Sequence, residues 1–386
     1  MTNQAHAQGI PPLAPIRADV AVIGASGRVG RRVLELVETR RAAAEQAGVD
    51  VRVVAAASSR ACLIARDGLS VPHVAGQLES AAAFSRQVID DALLRLPPRL
   101  ILVDCTASAE VAARYPRWLG AGIDIVTPNK LGPSAERPVA RAIAAAQARS
   151  GAVLRDSTVV GAQLPLLPAL RELREAGDRV ERFEAVLSGT LSYVLGRVQQ
   201  GEALSVAVRQ AVDCGYAEPD PARDLSGEDA ARKLVILLRA LGEDIELADV
   251  ERVPLVEPDL LGADDPAKLL ASLAEIDELW RARAAIADAR HERWVYRASF
   301  EHGRAHIAPE RVAVDHAFAR LAPCENALIL HSAYYCAAPL FISGPGAGVN
   351  LTAAGVYADL LAVARRHAPT EARTALRASG AVEVAA

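Results

Sequence analysis

The stretch ADVAVIGASGRVG, residues 18–30, decides the architecture. Its first six residues are nearly all apolar and suit a strand buried on both faces. Glycines follow at positions 24, 27 and 30, and then Val29, Val33, Leu36 and Val37 recur at helical spacing among charged residues. A strand, a glycine loop and a helix in that order point to a nucleotide. Glycines let the backbone approach a pyrophosphate, and the helix N-terminus offers amide donors and partial positive charge. A plain strand-to-helix turn also uses glycines, but the placement between a strand and a helix near the N-terminus favours the nucleotide. Gly24, Ser26, Gly27, Arg28 and Val29 are the expected contacts.

Outward from that loop the pattern repeats. Residues 51–57, 100–104 and 123–126 are further apolar strands, the last two ending in Cys105-Thr106-Ala107-Ser108 and Thr127-Pro128-Asn129-Lys130. Apolar strands alternating with helices predict a parallel sheet covered on both faces, with ligands bound beyond the carboxyl ends of the strands. The second strand ends in Ala57-Ser58-Ser59-Arg60, where a carboxylate would hold the ribose 2′-hydroxyl of NAD. Hydroxyls and the Arg60 cation suit the 2′-phosphate of NADP instead, with NAD still admissible and a plain surface arginine as the alternative. After Gly151 the texture changes: strands at 152–154 and 183–187, several helices, a helical and charge-rich segment over 265–287, then strand-like residues from 294 to 341 in which Tyr296, Ala298 and Phe300 alternate. A second glycine-rich loop at 343–348 precedes a terminal helix over 351–364.

Composition excludes other classes. A chain of 386 residues suits two or three domains, and 51% hydrophobic residues fill large cores although only 4% are aromatic. Lysine plus arginine number 43 against 47 acids, with no basic stripe or acidic tail, so neither nucleic acid nor a membrane surface is an expected partner. The five cysteines are isolated and fit neither a disulfide framework nor a CxxC metal site. The opening residues MTNQAHAQGIPPLAPIRA do not form a signal peptide, and no apolar run approaches the ~18 residues of a membrane span. A cytoplasmic location is expected.

Residues 215–238, GYAEPDPARDLSGEDAARKLVILL, crowd Glu218, Asp220, Asp224, Glu228, Asp229 and Lys233 into a short span before a wholly apolar run. Pro219 and Pro221 predict an extended loop, Ser226 a helix N-cap, and Asp229 the capping-box position. Asp229 and Lys233, four residues apart, share a helix face. An exposed ion pair is the bland reading. The following Leu234-Val235-Ile236-Leu237-Leu238 argues instead for a buried helix with Lys233 at the edge of the interior, where a lysine needs carboxylate company and is suited to proton transfer.

This stretch resembles the signature of homoserine dehydrogenases, most closely the dehydrogenase half of bifunctional aspartokinase–homoserine dehydrogenases. The likeness extends over nearly the whole chain, through residues 102–108, 125–130, 157–165, 187–193, and 346–348 with 352–356. The resemblance implies NAD(P)H-dependent, reversible reduction of aspartate 4-semialdehyde to homoserine, within threonine and methionine biosynthesis. It implies Lys233 as the acid–base lysine and Lys130 as a second lysine between cofactor and substrate. It further implies Gly215, Glu218, Asp224 and Asp229 around the amino-acid end of the substrate, and Thr106, Ser108, Lys130 and Gly346 beside the cofactor. A sodium ion on the backbone carbonyls of Ser157, Val160, Ala162 and Leu164, and a homodimer, complete what it implies.

The implied fold is α/β: a Rossmann-type doubly wound parallel sheet over residues 1–155, an inserted α+β substrate and dimerisation domain over 156–340, and a segment over 341–386 returning to the nucleotide-binding domain. No kinase half is expected. It departs from the family at the longer glycine loop, at Gln163, Arg223 and Val349-Asn350, and in having Leu131 where a second lysine is often found. A dehydrogenase of another small amino aldehyde, and a non-catalytic NADP(H)-binding homologue, are the alternatives. Retention of Lys130 and Lys233 argues against the second.

Overall fold

The computed structural model describes residues 15–81, 91–96, 99–217, 220–262 and 265–367. The 18–30 stretch forms β1 (Ile16–Ile23) and opens the Arg28–Thr39 helix. β1 is central to a six-stranded sheet with β2 (Val49–Ala57), β3 (Cys62–Ile64), β4 (Ile101–Asp104), β5 (Asp124–Val126) and β6 (Leu154–Arg155), in the order β3-β2-β1-β4-β5-β6. All neighbours run parallel except β3, which folds back antiparallel on β2.

Alternation along β1 explains why helices cover both faces. Val20 and Val22 join one core with Val33 and Val37, whereas Ala21 and Ile23 join another with Trp118 and Leu119. The Val349–Arg366 helix returns from the far end of the chain to the first of these cores through Val356, Leu360 and Val363. Its Asp359, buried among them, accepts hydrogen bonds from Ser157 N at 3.2 Å and Arg155 Nε at 3.3 Å. Burial raises the Asp359 carboxyl above its ordinary pKa, opposed by the Arg155 charge and the bond from Ser157.

The second sheet contains β7 (Val180–Val186), β8 (Val250–Arg252), β9 (Glu292–Glu301), β10 (Arg304–Ala313), β11 (Glu325–Ser332) and β12 (Leu340–Pro345), in the order β12-β11-β7-β9-β10-β8. It is antiparallel apart from the β8–β10 pair. Phe183, Ala185, Leu328 and Leu330 face a large core with the Leu166–Glu175, Gly189–Gln199 and Glu228–Leu241 helices. The opposite face carries a smaller cluster that includes Val186, Val295, Ala327 and Ile329, with Phe318 over it.

One sequence expectation differs from the structure here. Ser343 to Pro345 belong to β12, paired with Ala327, Asn326 and Glu325, so the second glycine loop starts only at Gly346. Proline is tolerated there because β12 is an edge strand. The charged segment over 265–287 is helical as expected, in the pieces Pro266–Ser272, a 3-10 turn at Leu273–Ile276, and Asp277–Ala289. Among the described residues no helix is long and apolar enough to cross a membrane, and none of the five cysteines is disulfide-bonded.

Candidate active site

The glycine loop closes tightly against the exit of β4. Gly24 has φ +77°, and a Cβ there would lie 2.9 Å from the Cys105 backbone. A Cβ on Gly30 would lie 2.1 Å from Gly24 O. Gly27 caps the following helix with no side-chain hydrogen bond, so no side chain occupies its first amides. Ser26, Arg28 and Val29 lie at or near the surface of the same turn. Beside it a cavity of about 170 Å³ is lined by Gly24, Ser58, Ser59, Thr106, Ser108 and Trp118. The Ser58 hydroxyl accepts from Arg60 N at 3.1 Å and Ala61 N at 3.0 Å, which folds the β2 exit into a turn that leaves Arg60 exposed, next in the chain to the cavity-lining Ser59. A backbone cradle that excludes side chains, next to a cavity at the strand ends, fits a dinucleotide.

The exits of β4 and β5 are tied together by a buried polar network. Asp104, fully buried, accepts from Thr106 N at 2.8 Å, Tyr115 Oη at 2.5 Å and Asn129 Nδ2 at 3.1 Å. Asn129 Nδ2 also donates to Ser108 O at 3.1 Å, and Asn129 Oδ1 accepts from Leu131 N at 3.1 Å. Burial raises the Asp104 carboxyl above its ordinary value, although bonds from Tyr115, Thr106 and Asn129 pull the other way. Lys130 leaves this network between Asn129 and Leu131.

Lys130 Nζ reaches Asp229 Oδ1 at 2.5 Å, and Lys233 Nζ reaches Asp229 Oδ2 at 2.9 Å. The Lys233 ammonium also donates to Leu187 O at 2.8 Å, a carbonyl that Asn326 Nδ2 approaches at 3.4 Å. Lys233 is the more enclosed lysine, its side chain 11% exposed against 35% for Lys130. Burial and the Lys233 charge lower the Lys130 pKa below the ordinary lysine value, opposed by Asp229. Burial alone would raise the Asp229 carboxyl, but the charges of Lys233 and Lys130 and their hydrogen bonds outweigh it and hold the carboxyl well below the usual range.

The Glu228–Leu241 helix starts differently from the capping-box expectation. Pro221 opens a single turn, Ala222–Leu225, that ends on Ser226, so Gly227 becomes the cap with φ +73°. Ser226 Oγ donates to Arg223 O at 2.8 Å and accepts from Glu228 N at 3.2 Å. Asp229 faces the lysines instead of the backbone. Asp224, on the preceding turn, accepts from Thr190 Oγ1 at 3.3 Å, and that hydroxyl lies 2.6 Å from Tyr216 O. Gly215 is exposed just beyond the Leu204–Asp213 helix with φ +73°. Glu218 lies outside the described residues. Gly346 packs on Asn326, where a Cβ would stand 2.0 Å from Asn326 Oδ1, which puts it near the Leu187 carbonyl that holds Lys233.

The loop carrying Ser157, Val160, Ala162 and Leu164 turns through left-handed Gly161 (φ +75°) and Ala162 (φ +52°). Leu164 O already accepts from Leu166 N at 2.8 Å. The hydroxyls of Ser157 and Thr158 are buried in this loop without a hydrogen-bond partner. Among the described residues no group of histidine, cysteine and acidic side chains could hold a metal.

Two features escaped the sequence reading. Asp104, Tyr115 and Asn129 are spread over three segments, and only the fold brings them together. A simpler signal was available for the lysines: of 43 lysines and arginines only Lys130, Lys233 and Lys268 are lysine, and two of these three meet on Asp229. The third, Lys268, is exposed on the Pro266–Ser272 helix; a lysine differs from arginine in shifting its pKa readily when buried.

Comparison with known proteins bears on the whole chain. The family profile for homoserine dehydrogenase matches residues 165–361, and that for the homoserine dehydrogenase NAD-binding domain matches residues 26–155. A bifunctional aspartokinase/homoserine dehydrogenase of Haemophilus influenzae is 34% identical over 346 residues, 89% of this chain and 42% of that protein. The chain thus spans about two-fifths of the length of such bifunctional relatives. A homoserine dehydrogenase of Emericella nidulans is 36% identical over 301 residues, 75% of this chain and 82% of that one. A crystallised hyperthermophilic archaeal homoserine dehydrogenase mutant in complex with NADPH shares the fold, with a TM-score of 0.71 at 23% identity over 92% of this chain and 99% of that one.

Proposed function

The chain belongs to the homoserine dehydrogenase family, and on that footing we propose that it reduces aspartate 4-semialdehyde reversibly to homoserine with a nicotinamide cofactor. The observation that carries this reading is Asp229 held between Lys130 and Lys233 at the carboxyl ends of the first sheet's strands.

The bound nicotinamide supplies the hydride. As the aldehyde oxygen gains negative charge it must receive a proton, and Lys233, steadied by Asp229 and Leu187 O, is the donor; in the reverse direction it takes that proton back. Lys130 lies between cofactor and substrate, where its positive charge stabilises the same oxygen. Asp229 keeps two ammonium groups close together that would otherwise repel. Asp224, Glu218 and the Gly215 backbone bind the amino-acid end of the substrate, since a substrate ammonium calls for carboxylates.

The 24–30 loop, with Ser26, Arg28 and Val29, takes the pyrophosphate, and Thr106, Ser108 and Gly346 flank the nicotinamide half. Arg60, exposed and next in the chain to the cavity-lining Ser59, binds a 2′-phosphate, so NADP is the preferred cofactor. The NADPH in the archaeal relative supports that choice. The two unpartnered hydroxyls on the 157–164 loop support a sodium site there, with the carbonyls of Ser157, Val160, Ala162 and Leu164 as ligands. We further propose a homodimer, located in the cytoplasm.

The test uses aspartate 4-semialdehyde and NADPH deuterated at C4 of the nicotinamide. Deuterium in C4 of homoserine is the expected result. NADPH binding with no semialdehyde-dependent oxidation would contradict the proposal and favour a different aldehyde or a non-catalytic binder.

A further inference from the structure

We propose that Asp104 is a positioning residue that sets the place of Lys130, an inference resting on the reading above that Lys130 acts at the reacting oxygen. Asp104 has no cationic side chain among its hydrogen-bond partners: Thr106 N, Tyr115 Oη and Asn129 Nδ2. A carboxylate enclosed in this way carries a desolvation cost that the three hydrogen bonds it accepts offset. Its geometry gives it another use.

The three donors belong to three segments: the β4 exit, the Tyr115–Gly120 helix and the β5 exit. Asn129 carries the restraint onward. Its backbone N donates to Thr127 Oγ1 at 2.8 Å, and its side-chain oxygen takes Leu131 N at 3.1 Å, so both chain neighbours of Lys130 are fixed. Ser134 completes the clamp by donating from N at 3.0 Å and from Oγ at 2.8 Å to Lys130 O. The same carboxylate holds Thr106 N, and Asn129 Nδ2 holds Ser108 O, on the loop that borders the cofactor cavity. Asp104 therefore registers the cofactor-side loop against the lysine that reaches Asp229. Slackening it by a fraction of an ångström would move Lys130 without unfolding either sheet, and misplacements of that kind cost turnover heavily.

The scarcity of lysine makes the test direct. Protein carrying ¹³C at lysine Cε has three such positions, and Lys130→Ala identifies one of them. The Lys130 ammonium faces Lys233, Asp229 and Asp224. In Asp104→Asn the expected results are a kcat lower by about 10- to 100-fold, a melting temperature within a few degrees of the parent, and a Lys130 titration midpoint that moves up toward the ordinary value of about 10.4 as the ammonium gains water. An unchanged kcat with an unchanged Lys130 titration would overturn the proposal, as would a lower melting temperature with both unchanged. If Asp104→Asn does not fold, Tyr115→Phe removes the hydroxyl's contacts to Asp104 and Thr127 and keeps the ring. It should lower kcat several-fold and move the titration the same way, and no movement in either would again overturn the proposal. Lys130→Ala with full turnover would instead sink the role given to Lys130, while the titration in Asp104→Asn would still report whether Asp104 places it.

Discussion

Lys130 Nζ and Asp229 Oδ1 stand 2.5 Å apart although 99 positions separate them in the chain. Lys130 follows β5 of the first sheet, and Asp229 opens the helix that packs beneath the second. The ion pair therefore joins the two sheets' halves of the molecule.

Asp229→Asn should separate catalysis from folding in a pH-dependent way. The variant leaves two ammonium groups facing each other, and kcat should fall on the order of 10²-fold. At neutral pH it should also lose about 1–2 kcal/mol of stability, less than for a fully buried pair because the side chain is 33% exposed. The Asp229 pKa is depressed in the folded state, so its contribution is present above the unfolded value of about 3.9 and fades as the pH falls below it. Denaturant melts of both proteins from pH 7 to pH 3 should therefore show a stability gap that is constant down to about pH 4 and then begins to narrow without closing.

Gly30→Ala should damage cofactor binding before anything else. The new methyl would press on Gly24 O, which an alanine Cβ would approach to 2.1 Å, and the strand-to-helix turn must open. Overpacking of this kind costs about 1–3 kcal/mol. NADPH affinity measured by fluorescence should fall at least about tenfold, in line with that energy, while the second sheet and its lysine keep their thermal transition.

Arg60→Ala should change which cofactor is used, with little effect on the fold. Loss of a charge-assisted contact to a 2′-phosphate is worth about 1.5–3 kcal/mol. The ratio of kcat/KM for NADPH over NADH should drop tenfold or more, with NADH kinetics nearly unchanged. An unaltered ratio would assign Arg60 to the surface alone.

Much of this was legible in the chain because it depends on local order. The 18–30 stretch spells strand, turn and helix in consecutive residues, and Asp229 and Lys233 share a face by simple helical spacing. What depended on distant partners was not legible. Ser226 is a good cap by type, yet Pro221 starts a turn that consumes it and gives the cap to Gly227. Ser343 to Pro345 look like loop, but the β11 edge recruits them as strand. The Asp104–Tyr115–Asn129 network joins residues up to 25 positions apart, and no periodicity marks it.

The measurement that bears most directly on the account is semialdehyde-dependent NADPH oxidation by the wild-type protein and Lys233→Ala in parallel, with NADPH affinity determined for both. The account predicts ready oxidation by the first, a loss on the order of 10²-fold or more in the second, and equal affinity for NADPH. Near-normal turnover by Lys233→Ala would contradict it.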